Sequence, residues 1–146
     1  MDRNEDLHLV DLAVARIARA AYSKTLHART QERAGVPLPP NAVAALSAIV
    51  RHGPLRLGAL AQRLAVQQSR ASKEVQRLVS AGFVEQADDP DDRRASLLGA
   101  TDEGTRAYKR YRAAADDLLA ERLASWSDRE LHALARQLTK LATAFS

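Results

Sequence analysis

Cysteine is absent from this chain of 146 residues. Its absence excludes disulfides, thiolate zinc sites, cysteine nucleophiles and redox sensing through a thiol. Long hydrophobic runs are absent too, since no stretch approaches the roughly 18 apolar residues that span a bilayer. The charged start MDRNEDLHL has no signal-peptide pattern. We therefore expect a soluble, cytoplasmic protein that does not bind a membrane.

Aromatic residues make up only 4% of the chain, which leaves few platforms for stacking single-stranded bases. Alanine, leucine and arginine dominate, and this composition favours helices. The formal charge is +4 and the pI is about 9.8, so an anionic partner is expected, with nucleic acid ahead of a membrane surface. The positive excess is small, so it supports this expectation only where the cations cluster.

Patterns for catalysis or metal binding are also missing. The four histidines have no ligand spacing, and there is no Ser–His–Asp order, glycine-rich phosphate loop or convincing carboxylate pair. An acidic run lacks the glycine and glutamate that an EF-hand requires in register. We expect its aspartates to shape a turn and to pair with the adjacent arginines; they are Asp88, Asp89, Asp91 and Asp92. The sequence predicts no enzyme, no metal and no cofactor.

The chain itself is a series of helical patterns. One long helix is predicted from Glu5 to about Arg33, with apolar residues at steps of three and four. A break rich in proline follows, and then helices at 41–51 and 58–64. After residue 100, Thr101 can cap a helix to about residue 125, and a capping box opens a last helix with a narrow leucine seam.

The stretch Gln67–Ser80 has the pattern of a helix with two distinct sides. One side carries long basic side chains, which can contact phosphates, and amides, which can hydrogen-bond to base edges. Glu74 is the only acid on this side. This side is typical of a helix that reads DNA, although taken alone it is more typical of an ordinary solvated surface. The apolar stripe on the other side comprises Ala71, Val75, Leu78 and Val79.

The neighbours of this helix favour the DNA interpretation. A short helix and a three-residue turn precede it, which is the helix-turn-helix pattern, although an ordinary helical hairpin stays open. Strands at 83–88 and 94–99 follow it and predict a β-hairpin, called the wing below. Between Arg51 and Arg77 six residues are basic and one is acidic, so the cations do cluster.

Residues 54–104 closely resemble the winged-helix region of the MarR family of bacterial transcription regulators. The resemblance rests on the helix-turn-helix, on LVSAGFV leading into the wing, and on DDRR followed by TDEG. It implies one mainly α domain, 1–146, with a small β-hairpin wing. A winged helix-turn-helix region (41–101) would be flanked by dimerisation helices (5–35 and 102–146). It also implies a bacterial, cytoplasmic homodimer that binds a near-palindromic site on double-stranded DNA, most often as a repressor.

We expect the outward side of helix 67–80 and the wing to contact DNA. The resemblance places Arg93 in the minor groove, with Asp91 holding it in position. We expect the neighbouring Arg94 to contact the DNA backbone. Arg56 and Arg77 are expected at phosphates. The whole predicted set is Arg56, Gln68, Ser69, Arg70, Ser72, Lys73, Gln76, Arg77, Arg93 and Arg94.

The resemblance adds a small-molecule effector. Many family members release DNA when a small aromatic or phenolic acid binds. The candidate residues here are Arg16, Arg19 and Tyr22 on the first helix, where a guanidinium can pair with a carboxylate. A solvated helix face is the alternative for both arginines. The alternative for the whole protein is a dimeric protein-interaction module without DNA binding.

Two departures from the family pattern lie in the turn and the helix start. Ala65 stands where glycine is usual, and alanine costs about 1 kcal/mol if its backbone is left-handed. Gln67 and Gln68 replace a good N-cap, so a helix that starts two residues later, capped by Ser69, is an alternative.

Overall fold

Seven helices and one antiparallel hairpin form the part of the chain that the computed structural model describes, residues 2–145. The strands are β1, Val84–Asp89, and β2, Asp92–Ala100. The predicted class, mainly α with a β-hairpin wing, is confirmed. Among the described residues, no helix combines the length and the apolar character that crossing a bilayer requires. The helices are α1 Arg3–Ala21, α2 Lys24–Ala34, α3 Pro40–His52, α4 Leu57–Leu64, α5 Gln68–Ser80, α6 Asp102–Arg122 and α7 Asp128–Thr143.

The chain divides into two compact units, the first ending at Ala114 and the second beginning at Ala115. The first unit contains a core in which α3, α4, α5 and the hairpin bury their apolar faces. The predicted stripe on α5 is buried except for Val79, which is 41% exposed and was predicted wrongly. Fully buried large side chains of this core include Leu46, Ile49, Leu60, Leu78 and Leu98.

The long first helix of the sequence prediction is in fact two helices. α1 ends at Ala21, and α2 begins after Ser23, whose Oγ accepts the N–H of Leu26 at 3.1 Å. A serine that bonds its local backbone in this way competes with continuous helical bonding. Apolar residues continue at helical spacing across the break, so the periodicity alone does not reveal it.

The turn between α4 and α5 decides where the helix-turn-helix begins its second helix. Ala65 has φ 53° and ψ 43°, so the left-handed backbone suspected from the sequence is confirmed. Gln67 is the N-cap of α5 and makes no side-chain capping bond. Its carbonyl already accepts the N–H groups of Arg70 and Ala71, both at 3.1 Å. The alternative start at Ser69 is therefore wrong.

Hydrogen bonds connect the wing to the segment before α4, and others join the residues on either side of the wing. Leu55 exchanges two backbone bonds with Leu98 of β2, at 3.1 and 2.8 Å. Thr101 Oγ1 accepts the N–H of Gly104 at 3.0 Å and donates to the carbonyl of Gly82 at 2.7 Å. The predicted cap at Thr101 is thus confirmed, and it also joins the start of α6 to the end of α5.

α1 and α7 contain no buried residue. In the first unit, α1 presents large apolar side chains that are 41–58% exposed, among them Leu9, Leu12 and Ile17. In the second unit, α7 is opened by the predicted capping box between Ser127 and Glu130. The leucines of α7 are at best half-buried. Both helices therefore leave apolar faces uncovered within residues 2–145.

Candidate nucleic-acid interface

The outward side of α5 borders an open depression of about 970 Å³. Asn41 at the start of α3 and the turn Ala65–Gln67 form the rest of its wall. Cationic side chains spaced at three and four residues on a helix share one side, so α5 presents its positive charge into this depression. The predicted contact residues that it brings together are Ser69, Arg70, Lys73 and Arg77.

The remaining predicted residues of α5 lie outside this lining. Gln76 is exposed one turn beyond Lys73, while Ser72 is half-buried. The amide of Gln68 packs against α4 at Gly58. Its Nε2 would lie 3.3 Å from a Cβ added to that glycine. Gln68 and Ser72 therefore lie on the α4 flank of the helix, away from the depression.

Glu74 lines the same depression, so this cationic side also includes a carboxylate. Its side chain is 12% exposed, and its Oε2 is buried without a hydrogen-bond partner among the described residues. The nearest cation is Arg77, whose Nε lies 3.6 Å from that oxygen. At this distance the pair is electrostatic and not a hydrogen bond. The sequence identified Glu74 as the only acid of α5 but gave no indication that it is buried.

The wing presents its two arginines from an irregular stretch of β2. Asp88 pairs with Ser96 and Asp89 pairs with Asp92, so residues 93–95 lie opposite no residue of β1. Such bulges bend a strand and redirect its side chains. Arg93 and Arg94 are both exposed in this stretch. Both arginines therefore project from the irregular part of the wing, where the regular alternation of the strand is interrupted.

The acidic turn of the wing is held by a contact that the sequence did not predict. Asp89 is only 5% exposed, and its Oδ2 accepts from Arg56 Nε at 2.7 Å and lies 2.6 Å from Nη2. Its Oδ1 accepts the N–H of Asp91 at 2.9 Å. Among residues 2–145 the ion pair of the turn is therefore made with Arg56 and not with the adjacent arginines. The expected pairing with the adjacent arginines was wrong. The steadying role of Asp91 stays a prediction.

Electrostatics at this pair follow from the same contacts. The N–H of Asp91, and after it the guanidinium of Arg56, lower the pKa of the Asp89 carboxyl below its ordinary value. The hydrogen bond and charge of Asp89 raise the pKa of Arg56. Both groups are thus held in their charged forms, as a persistent ion pair requires.

Some of the clustered cations lie elsewhere. Desolvation, followed by the charges of Arg63 and Arg51, lowers the pKa of the His52 imidazole. These two arginines are therefore neighbours of His52 and do not line the depression beside α5. The basic run therefore supplies cations to three places: near His52, at Asp89 through Arg56, and along the depression beside α5.

The three residues suggested for an effector are all at the surface. Arg16 and Arg19 are exposed on α1, and Tyr22 is 85% exposed where that helix ends. The structure also contains a polar pair that the sequence did not reveal: Tyr111 Oη is 2.8 Å from His27 Nδ1. His27 Nε2 is 2.9 Å from the carbonyl of Leu38, which can only accept. Nε2 therefore donates to that carbonyl, and Nδ1 lies within hydrogen-bond distance of the Tyr111 hydroxyl.

Comparison with known proteins shows which proteins this chain resembles. The MarR family model matches residues 36–95, which run from before α3 into the unpaired stretch of β2. An uncharacterized HTH-type transcriptional regulator of Mycobacterium bovis is 33% identical over 89 residues, 61% of this chain. That match spans 62% of the relative, which is less than two thirds of its length.

Solved structures extend the likeness to almost the whole chain. A MarR family protein from Bacillus stearothermophilus has a TM-score of 0.79 at 23% identity, covering 99% of this chain and 98% of that one. The PcaV transcriptional regulator from Streptomyces coelicolor, solved in complex with its natural ligand, has a TM-score of 0.64 at 25% identity. It covers 91% of this chain and 92% of its own. Sequence match and fold agree: residues 36–95 match the MarR family model, and the chain has the fold of solved MarR family proteins.

Proposed function

We propose that this protein is a homodimer that binds a near-palindromic site on double-stranded DNA and represses transcription from it. The observation that carries the proposal is the cationic side of α5, which follows a helix-turn-helix and precedes a wing with two exposed arginines. A helix has the width of the major groove, and arginine suits the more negative minor groove.

The proposed roles follow from exposure and chemistry. Ser69, Lys73 and Gln76 are exposed on α5 and face the major groove. Arg70 and Ser72 lie at the two edges of that side, where they reach the groove walls. Arg77 contacts a phosphate, and Gln68 contacts the DNA from the flank beside α4. On the wing, Arg93 enters the minor groove and Arg94 meets the backbone.

Lys73 supplies the first test. Binding to the DNA upstream of the protein's own gene is measured by fluorescence anisotropy over a series of salt concentrations. Lys73→Ala should weaken binding to all sequences and flatten the salt dependence by about one unit, because one phosphate contact is lost. Lys109→Ala on α6, also exposed, removes the same charge away from α5 and should keep the slope. An unchanged slope for Lys73→Ala would remove this residue from the phosphate contacts.

The wing is tested separately. Arg93→Ala should weaken the DNA complex while the mass measured by light scattering stays that of the wild type. Unaltered affinity would refute its role in the minor groove. If the wild type binds neither its own upstream region nor random duplexes, the alternative of a protein-interaction module replaces DNA binding.

We also propose that the protein responds to a small-molecule effector. It is supported by the natural ligand of the PcaV relative and by the cations and ring of Arg16, Arg19 and Tyr22. A small aromatic carboxylate, with benzoate and 4-hydroxybenzoate as probes, should release the DNA, and Arg16→Ala should abolish this response while basal binding persists. Release that is the same in wild type and variant would exclude Arg16 from the effector site.

A further inference from the structure

We propose that the ion pair between Asp89 and Arg56, called the clasp below, couples the wing to the first turn of α4 when the protein binds DNA. Asp89 is a positioning residue in this proposal, and Arg56 is the phosphate ligand that it orients. The inference rests on the proposed DNA binding and adds to it the way in which the wing is held.

The contacts of Asp89 use both of its oxygens. Oδ1 accepts from the backbone N–H of Asp91 in the turn, and Oδ2 accepts from the guanidinium of Arg56. The carboxylate is buried, whereas the side chain of Arg56 is 49% exposed. Arginine has five N–H donors in a planar fork, so one edge of Arg56 is held by Asp89 and the other edge stays available to an anion.

Because of its position, the clasp restrains the movement of the wing. Asp89 ends β1 immediately before the turn, and the unpaired residues 93–95 follow that turn. Arg56 is the N-cap of α4, next to Leu55, which bridges to Leu98 in β2. A two-stranded hairpin is marginally stable by itself. The Leu55 bridge and the clasp are therefore two ties between the same segments, and the clasp is the one nearer the wing arginines.

Two neighbouring aspartates allow a test based on the direction in which DNA affinity changes. Asp89→Asn and Asp88→Asn each remove one negative charge from the same strand, but Asp88 is exposed and outside the clasp. General electrostatics predicts tighter DNA binding for both variants. The clasp predicts that Asp88→Asn binds as well as the wild type or better, whereas Asp89→Asn binds about tenfold more weakly, the effect of losing a charged hydrogen bond. Asp89→Asn binding as tightly as Asp88→Asn would overturn the proposal.

A second readout needs no DNA. Limited trypsin digestion followed by mass spectrometry reports the rate of cleavage after Arg93 and Arg94, which are exposed to the protease in proportion to the mobility of the wing. Asp89→Asn and Arg56→Gln should both accelerate this cleavage by a similar factor, and the double variant should add nothing further. Asp88→Asn should leave the rate unchanged, and circular dichroism verifies that each variant is folded.

The two readouts separate failure of the clasp from failure of the proposed function. Accelerated cleavage in a protein whose wild type binds no DNA would retain the clasp and reject DNA binding. Unchanged cleavage for the exposed substitution Arg56→Gln would reject the clasp, whatever the affinity for DNA. Arg56→Lys keeps the charge but not the fork, so it should restore only part of the protection.

Discussion

At the scale of single residues, Ala65 carries the most evident backbone strain. It is the non-glycine residue with a positive φ among residues 2–145, and it ends α4 in the left-handed region. Glycine adopts this conformation without the steric cost of a Cβ, which is about 1–2 kcal/mol, but it loses more entropy on folding. Ala65→Gly should therefore raise the free energy of unfolding by about 0.5–1 kcal/mol in a urea titration.

A matched substitution controls for helix propensity. Ala59 is exposed within the same helix, where glycine costs about 1 kcal/mol relative to alanine. Ala59→Gly should therefore destabilise the protein while Ala65→Gly stabilises it. Equal destabilisation by both substitutions would contradict a strained backbone at Ala65.

Glu74 is the residue that limits the positive charge of α5. Glutamine has nearly the same shape, so Glu74→Gln should keep the fold and remove a buried charge that has no hydrogen-bond partner on Oε2. Random-sequence duplex DNA should then bind about fivefold more tightly at low salt, because a nearby unit charge is worth about 1 kcal/mol. The measurement is fluorescence anisotropy, with the exposed Glu32→Gln on α2 as a control that keeps wild-type affinity.

A lower affinity of Glu74→Gln would indicate the opposite role. Glu74 would then hold Arg77 in its binding conformation, since the two groups lie 3.6 Å apart. The sign of the change therefore decides whether this carboxylate restrains the general attraction to DNA or positions one of its contacts.

At the scale of elements, the junction between the wing and α6 requires a glycine at position 104. A Cβ on Gly104 would collide with the backbone of Phe83, at 2.8 Å from its carbonyl carbon and closer still to its oxygen. Alanine normally stabilises a helix by about 1 kcal/mol relative to glycine, but overpacking against backbone costs about 1–3 kcal/mol. The steric term should win, because Phe83 is also fixed by the bond that its carbonyl accepts from Thr101.

Gly104→Ala should accordingly lower the midpoint of chemical unfolding, by a net amount of about 1–2 kcal/mol. Gly99 lies on β2 a few residues earlier, and nothing lies within 4 Å of the Cβ that alanine would add there. Gly99→Ala should be neutral within about 0.5 kcal/mol. If Gly104→Ala were equally neutral, the close approach of α6 to the end of the wing would be disproved.

The accuracy of prediction from sequence varied with the range of the interactions involved. α5 was located to within one residue, and the wing was recognised, because helical period and turn residues are local signals. The break before Ser23 was missed, since the apolar spacing runs through it. The bond between Arg56 and Asp89 spans 33 positions, so no local pattern reports it. Burial of Glu74 likewise depends on tertiary packing.

At the scale of the whole molecule, the exposed apolar faces of α1 and α7 indicate that another protein surface covers them. Monomeric proteins rarely expose contiguous apolar patches of large size, and α1 alone presents six large apolar side chains that are more than two-fifths exposed. A second copy of the chain is the partner we propose, since family likeness and a two-fold DNA site both fit a symmetric pair. These side chains are Leu7, Leu9, Val10, Leu12, Val14 and Ile17.

Substitutions on opposite sides of α1 test this assembly. Ile17→Glu places a charge on the apolar side and should convert the dimer to monomers in sedimentation experiments, because burying an unpaired carboxylate is strongly unfavourable. His8→Glu introduces a carboxylate on the polar side of the same helix and should remain dimeric. The melting temperature of the wild type should rise with protein concentration, since association stabilises the folded state by mass action.

The DNA-binding behaviour of the monomer follows from the same reasoning. Ile17 lies on a helix that contributes no buried residue to the core, so Ile17→Glu should leave the winged region folded. A single winged region would meet only half of the proposed near-palindromic site, and the effective concentration of the second half would be lost with the proposed dimer. Affinity for the full site should therefore fall by two or more powers of ten, on the order of the gain from linking two sites. A variant that is monomeric but keeps wild-type affinity would show that each subunit binds DNA independently.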